Sequence, residues 1–308
     1  MEADSEGQTA AKAAEDPVDA FVRRLDWLDG LADPIQKVVG WCYATLGGPG
    51  RLLKDLVHGT KPLGHPLHPA LTDIPLGAWT AMVAADLLAT VTRTIPPVAG
   101  DVALGVGVAG ALAAAVAGYT DFHDTYGQER RVGLLHGLLM TLVLVIMAVS
   151  LAMRIGAPGS RTLAVLVSTV GWLLAVLGGY LGGHLIFRYG TMVNRNAFIE
   201  FPGSFVSVGS STDFTEGQMR KVELDAGPVL VLRRAGKLFA ISNVCSHAGG
   251  PLDEGKMEGN TVICPWHGSR FCVLDGSVEG GPATFNQPAF TVCERHGKVE
   301  VKVSVPSH

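Results

Sequence analysis

Cys245-Ser246-His247-Ala248-Gly249-Gly250-Pro251 and, with sixteen residues between His247 and Cys264, Cys264-Pro265-Trp266-His267-Gly268-Ser269 decide how the last third of this chain is read. Each stretch offers one thiolate and one imidazole two or three residues apart. Two Cys can hold one iron of a [2Fe–2S] cluster while two His hold the other. Gly249, Gly250 and Gly268 let backbone approach inorganic sulfur, and Pro251 and Pro265 stiffen the loops. Zinc is the competing reading. A Cys₂His₂ zinc site usually takes Cys with Cys and His with His in separate knuckles, whereas here each loop supplies one of each, which favours iron and sulfur.

Outward from these loops, residues 202–308 alternate apolar and polar positions in short runs: Phe205 to Val208, Pro228 to Leu232, Lys237 to Ser242, Thr261 to Cys264, Phe290 to Cys293 and Val299 to Val305. Glycine-containing turns separate them, with Ala235-Gly236 and His296-Gly297 reading as hairpin turns. An all-β antiparallel domain is expected, with the two loops at strand ends. His296 reads as an exposed turn residue.

The paired loops, followed by Phe271-Cys272-Val273-Leu274-Asp275-Gly276-Ser277-Val278-Glu279-Gly280-Gly281-Pro282-Ala283, resemble Rieske iron–sulfur domains. The resemblance implies that Cys245 and Cys264 hold the inner iron, that His247 and His267 hold the outer one, and that Gly281-Pro282-Ala283 is the proline loop over the cluster. High-potential members clamp their loops with a disulfide, whose positions are Gly250 and Trp266 here, so the clamp is absent. Of two cluster hydrogen-bond donors in that branch, Ser269 is kept and Phe271 replaces the tyrosine. The pattern is more similar to the ferredoxins of oxygenase systems.

The rest of the chain is of another class. Only 17% of its 308 residues are charged, and the mean hydropathy is positive. Four stretches, about Leu71 to Thr92, Pro97 to Gly118, Val132 to Met153 and Thr162 to Phe187, are each 22 residues or more. At ~1.5 Å per residue, such lengths cross a ~30 Å hydrocarbon core. An all-α four-span transmembrane bundle is therefore expected, its glycines allowing close helix contact. Asp73, Asp86 and Asp101 are costly in lipid and should face the bundle, a cleft or the interface. His65-Pro66-Leu67-His68-Pro69, Asp73-Ile74-Pro75-Leu76-Gly77 and Gly179-Tyr180-Leu181-Gly182-Gly183-His184 resemble a bacterial four-helix membrane domain of unknown function, over roughly residues 60 to 190.

The expected organisation is a disordered tail over 1–16, amphipathic helices over 17–60, the membrane domain over 61–190, a connector over 191–201 and the β-domain over 202–308. Asp16-Pro17 reads as a cap with proline at the first helical position, and the amphipathic helices either lie in the membrane interface or pack on the protein. Positive charges near the membrane favour the side of the amino terminus: Arg51, Lys54, Lys61, Arg130, Arg131, Arg188 and Arg195 against Arg93, Arg154 and Arg161. Both termini and the β-domain are therefore expected in the cytoplasm.

A net charge of −4 with no basic tract gives nucleic acid no footing. Cys42, Cys272 and Cys293, an odd remainder, read as free thiols. The leading functional reading is a membrane-anchored carrier of single electrons between a reductase or membrane donor and an oxidoreductase acceptor, without a catalytic site of its own. A redox sensor, or a membrane subunit of a quinol-oxidising or oxygenase system, are the alternatives. An oxygenase's own mononuclear iron site has no room, because only 41 residues follow His267. His65, His68, His123, His136 and His184 fall at one end of the spans. His136 and His184 come to similar depth and would suit the axial positions of a b-type haem; the plainer reading is that these histidines hydrogen-bond Asp73, Asp121 or backbone carbonyls.

Overall fold

The structure, a computed structural model, describes residues 16–156 and 161–304. The expected tail lies outside the described residues apart from Asp16, as do Val305 and His308. Among the described residues, seven α-helices precede ten β-strands. The helices are α1 (Pro17–Arg23), α2 (Trp27–Ala44), α3 (Gly47–His58), α4 (Leu67–Val91), α5 (Val98–Phe122), α6 (Gly127–Gly156) and α7 (Arg161–His184), which continues as a π-helical turn, Leu185–Tyr189. Helices α4 to α7, with that turn, are long and apolar enough to cross a membrane.

The four long helices share a core of Trp79, Met82, Leu104, Val143, Met147 and Ala175. Glycine is required at Gly107, because a Cβ there would sit 2.2 Å from the Trp79 indole nitrogen. At the end of the bundle distant from the β-domain, the Arg154 side chain is fully buried on Asp86 (2.6 Å) and Asp101 (3.0 Å) and also meets Ser168. A buried charge needs such partners, and this pairing explains how Asp86 and Asp101 are accommodated.

Asp16 caps α1 through its carboxylate, which accepts from the Val18 and Asp19 backbone N–H groups. Helix α1 stops at Arg23, and Trp27 opens α2, which carries Pro34 in its interior. Gly30 stands one turn before Pro34, at the carbonyl that a proline ring crowds. These helices pack on the bundle through polar contacts. Gln36 donates to the Phe122 and Thr125 carbonyls, Tyr43 meets Thr120, and Arg130 and Arg131 pair with Asp29. They also leave Phe21, Trp27, Trp41 and Leu52 more than half exposed.

The strands are β1 (Val206–Ser210), β2 (Met219–Leu224), β3 (Gly227–Arg234), β4 (Lys237–Ser242), β5 (Lys256–Glu258), β6 (Thr261–Ile263), β7 (Arg270–Cys272), β8 (Val278–Gly280), β9 (Ala289–Arg295) and β10 (Lys298–Val303). All strand pairings are antiparallel. One sheet runs β1-β10-β9-β4-β3-β2, the other β5-β6-β7-β8. The first is packed around Val229, Val231, Phe290, Val299 and Val301, the second around Leu252, Val262, Phe271 and Val273. The two hairpin turns adopt positive φ at Ala235-Gly236 and His296-Gly297, as expected.

Candidate functional site

The two loops are one turn built twice. In the first, between β4 and β5, the Cys245 N–H donates to the Gly250 carbonyl and the Gly249 N–H returns to the Cys245 carbonyl, both at 2.9 Å. In the second, between β6 and β7, the Cys264 N–H donates to Ser269 (2.8 Å) and the Gly268 N–H to Cys264 (3.1 Å). Gly249 and Gly268 close these turns with φ of 85° and 75°, which glycine adopts without cost. Where the loops meet, a Cβ on Gly250 would lie 2.8 Å from the Cys264 sulfur and 3.0 Å from the Trp266 ring. All five cysteines are free.

The turns bring the four expected side chains together as two pairs. Cys245 and Cys264 are buried and share a hydrogen bond between their side chains. The His247 and His267 rings lie 4.8 Å apart at 85°. Both Nδ1 atoms are buried and have no hydrogen-bond partner. Buried ring nitrogens are normally satisfied, so these two orphans, on the same two loops as a buried thiol pair, fit a metal-bound group: imidazole and thiolate are the donors such a cluster takes. Burial, reinforced by His267, pushes the His247 pKa down to about 3, which keeps the ring neutral as a ligand must be. Ser269 is fully buried; its Oγ accepts from the Ala283 N–H at 3.1 Å, leaving its hydroxyl proton to donate. The Phe271 ring is fully buried in the same core as both cysteines.

His247 and His267 are partly buried. The helical domain covers that edge. Tyr126, between α5 and α6, lies 4.8 Å from His267 ring to ring. A cavity of about 500 Å³ separates the edge from the bundle, lined by His247, His267, Trp266, Arg195, Tyr126 and Asp124 among others. The proline loop is held from α3 and the residues after it: Gly281 N–H donates to Asp55 (2.8 Å), and Thr60 donates to the Ala283 carbonyl (3.0 Å). The connector adds Arg195 N–H to the Ser246 carbonyl and the Asn196 amide to the Val244 carbonyl.

Beneath this contact lies a residue that the sequence did not single out. His58, fully buried at the end of α3, sits between Asp121 (2.8 Å) and Asp124 (3.2 Å), and Lys54 reaches Asp124 at 3.0 Å. Burial alone would lower the His58 pKa, but the two carboxylates outweigh it and raise it. Asp124 is likewise opposed by burial and yet held far below the usual carboxylate range by His123, His58 and Lys54. The only local sign in sequence was the charged Lys54-Asp55 within an apolar helix; the partners lie more than sixty residues away.

The membrane histidines are satisfied largely by backbone. His65 Nδ1 meets the Pro66 carbonyl, His68 Nδ1 the Ala114 carbonyl (2.8 Å) and His136 Nδ1 the Gly178 carbonyl (2.9 Å), while His123 meets Asp124. The structure does not bring His136 and His184 together. A Cβ on Gly182 would touch the His136 ring, and His184, two residues on and so ~200° around α7, turns the other way to Asp19 (3.2 Å) and Tyr189. The ring beside His136 is that of His68, at 6.3 Å and 76°.

Residues 204–291 match the family model described as Rieske [2Fe-2S] domain, and residues 64–195 match one described as predicted membrane protein, DUF2231. The chain is 35% identical over 89 residues to the biphenyl 2,3-dioxygenase ferredoxin component of Rhodococcus jostii, covering 29% of this chain and 83% of that protein. It is 31% identical over 98 residues to ferredoxin CarAc of Metapseudomonas resinovorans, covering 32% and 92%. Human apoptosis-inducing factor 3 is 38% identical over 92 residues, 30% of this chain, but the match spans only 15% of that relative's length. Among solved structures, the ferredoxin of carbazole 1,9a-dioxygenase from Nocardioides aromaticivorans is similar at 28% identity, covering 33% of this chain and 99% of that one, with a TM-score of 0.31.

Proposed function

The chain belongs, through residues 204–291, to the Rieske [2Fe–2S] family, and from that premise we propose that it is a membrane-anchored one-electron carrier. In this reading Cys245 and Cys264 bind one iron, His247 and His267 bind the other through Nδ1, and Ser269 donates a hydrogen bond to the cluster. The orphaned, buried Nδ1 atoms, on the same two loops as the paired thiols, carry the assignment. When bound, the cluster accepts and releases single electrons. The residues around it exclude water, and the two tight turns hold the donors in place in either charge state.

The anchor is the bundle of α4 to α7, within proposed limits of 61–190, joined by 191–201 to a cluster domain over 202–308 and preceded by helices over 17–60. Exposed Trp27 and Trp41 suit the membrane interface, and the loop arginines and lysines favour a cytoplasmic cluster domain. The Rhodococcus jostii relative is the ferredoxin component of a dioxygenase, which supports a redox protein as one partner here. Because the His247 and His267 edge faces the bundle across a cavity, the exposed Pro265-Trp266 corner is the approach left to that partner. Electron paramagnetic resonance of the reduced full-length protein tests the proposal. It should give the low-average-g spectrum of a mixed-ligand [2Fe–2S] centre; iron-loaded protein without that spectrum would contradict it.

A further inference from the structure

We infer that the bundle holds a second ligand site, for the hydroxyl form of a membrane-soluble quinone, built on His68 and His136. A cavity of about 290 Å³ lies among the four long helices and is lined mainly by glycine, alanine and other apolar residues, with both imidazoles in its wall. Its volume stands near the lower end of ligand pockets, ~300–1,000 Å³, which suits one aromatic ring better than a macrocycle. Gly118 and Gly182 make room for the imidazoles, since a Cβ on either would meet the His68 or His136 ring at 2.7 and 3.2 Å.

The chemistry of the wall selects the ligand. A backbone carbonyl only accepts, so the bonds from His68 to Ala114 and from His136 to Gly178 place the proton on Nδ1 in both rings. Each Nε2 is then an acceptor, and among the described residues neither has a partner. Two acceptors in a mostly apolar pocket call for a largely apolar ligand that donates twice, as a quinol's hydroxyls do. A metal is the poorer fit: among the described residues no third His, Cys, Asp or Glu stands with these two rings at the spacing a single ion needs. The site also leads somewhere. Asp121, Thr125, Thr191 and Met192 line both this cavity and the one at the His247 and His267 edge, so the two spaces adjoin.

Binding here does not require the cluster assignment to be right; only its relevance to electron delivery rests on that reading. The test is anaerobic calorimetry of the full chain in detergent with decylubiquinol and decylubiquinone, the cluster spectrum being recorded on the same samples. The quinol should bind saturably and more tightly than the quinone, which has no proton to donate. His68→Asn and His136→Asn keep a donor for the carbonyl but delete the Nε2 acceptor, and each should weaken quinol binding about three- to tenfold. Gly179 lines the cavity and has nothing within 4 Å of an added Cβ, so Gly179→Leu should fill the space, abolish binding and leave the fold and the cluster spectrum intact. Absence of saturable quinol binding, quinone binding as tight as quinol, or unchanged affinity in the Asn variants and in Gly179→Leu would each overturn the inference, whatever the cluster spectrum shows.

Discussion

The protein contains two edge-to-face pairs of imidazoles, and they are wired oppositely. His247 and His267, 4.8 Å apart at 85°, keep both Nδ1 atoms buried and unbonded. His68 and His136, 6.3 Å apart at 76°, spend both Nδ1 protons on helix carbonyls. In the β-domain the backbone leaves both Nδ1 atoms buried without a partner, on the two loops that carry the thiols, an arrangement that suits a metal-binding pair. In the bundle the helix backbone fixes the tautomer and leaves Nε2 to the cavity, the arrangement of a hydrogen-bond acceptor. Sequence spacing alone cannot tell these apart, because the distinction lies in which nitrogen the backbone reaches.

Removing a thiol should separate the regions most sharply. Cys264→Ser is expected to lose essentially all iron and visible absorbance while leaving the helical circular dichroism of the bundle unchanged. Loss of helical signal together with the iron would show that the two regions fold as one unit. Next in size is the contact that joins them. His58→Leu removes the partner of the buried Asp121 carboxylate, while Asp124 keeps Lys54 and His123; breaking a buried pair in this way costs about 3–5 kcal/mol. The amide of Gly281, which donates to Asp55 beside this site, should then exchange faster in hydrogen–deuterium exchange.

The same contact should respond to pH in the wild-type protein. A raised His58 pKa means its contribution is complete below the unfolded value of about 6.5 and lost as pH rises through the folded one. A lowered Asp124 pKa means its contribution is complete above about 3.9 and lost as pH falls through the folded one. Protection of Gly281, corrected for intrinsic exchange, should therefore be greatest between about pH 4 and 6.5. A smaller effect concerns the cluster alone. A hydrogen bond to a charged group contributes about 1.5–3 kcal/mol, so Ser269→Ala should lower the potential by roughly 60–130 mV, taking 59 mV per tenfold for one electron. Voltammetry showing no shift would free Ser269 from its proposed role.

Much of this was legible in the chain. The four long helices announced themselves by length and hydropathy, the α1 cap by Asp16-Pro17, and the hairpins by their glycine turns, all local signals. Strand β2 was missed because Met219–Leu224 is an edge strand whose exposed charged residues blur the alternation, and β5, β7 and β8 because three residues carry no period. His58 escaped notice since its meaning depends on carboxylates at 121 and 124. The pairing of His136 with His68 in place of His184 follows from the rotation of α7, where two residues turn a side chain to the opposite face. The covering of the His247 and His267 edge depends on Tyr126 and Asp55, which no motif marks.

His247 and His267 are proposed to bind iron through their Nδ1 atoms. Pulsed electron paramagnetic resonance of the reduced full-length protein reads this directly through nitrogen couplings to the electron spin. The expected result is two strong imidazole nitrogen couplings, both shifted when histidine is replaced biosynthetically by the form carrying ¹⁵N at Nδ1 only, and unshifted when the label is at Nε2. A spectrum with a single strong nitrogen coupling, or one that follows the Nε2 label, would contradict it.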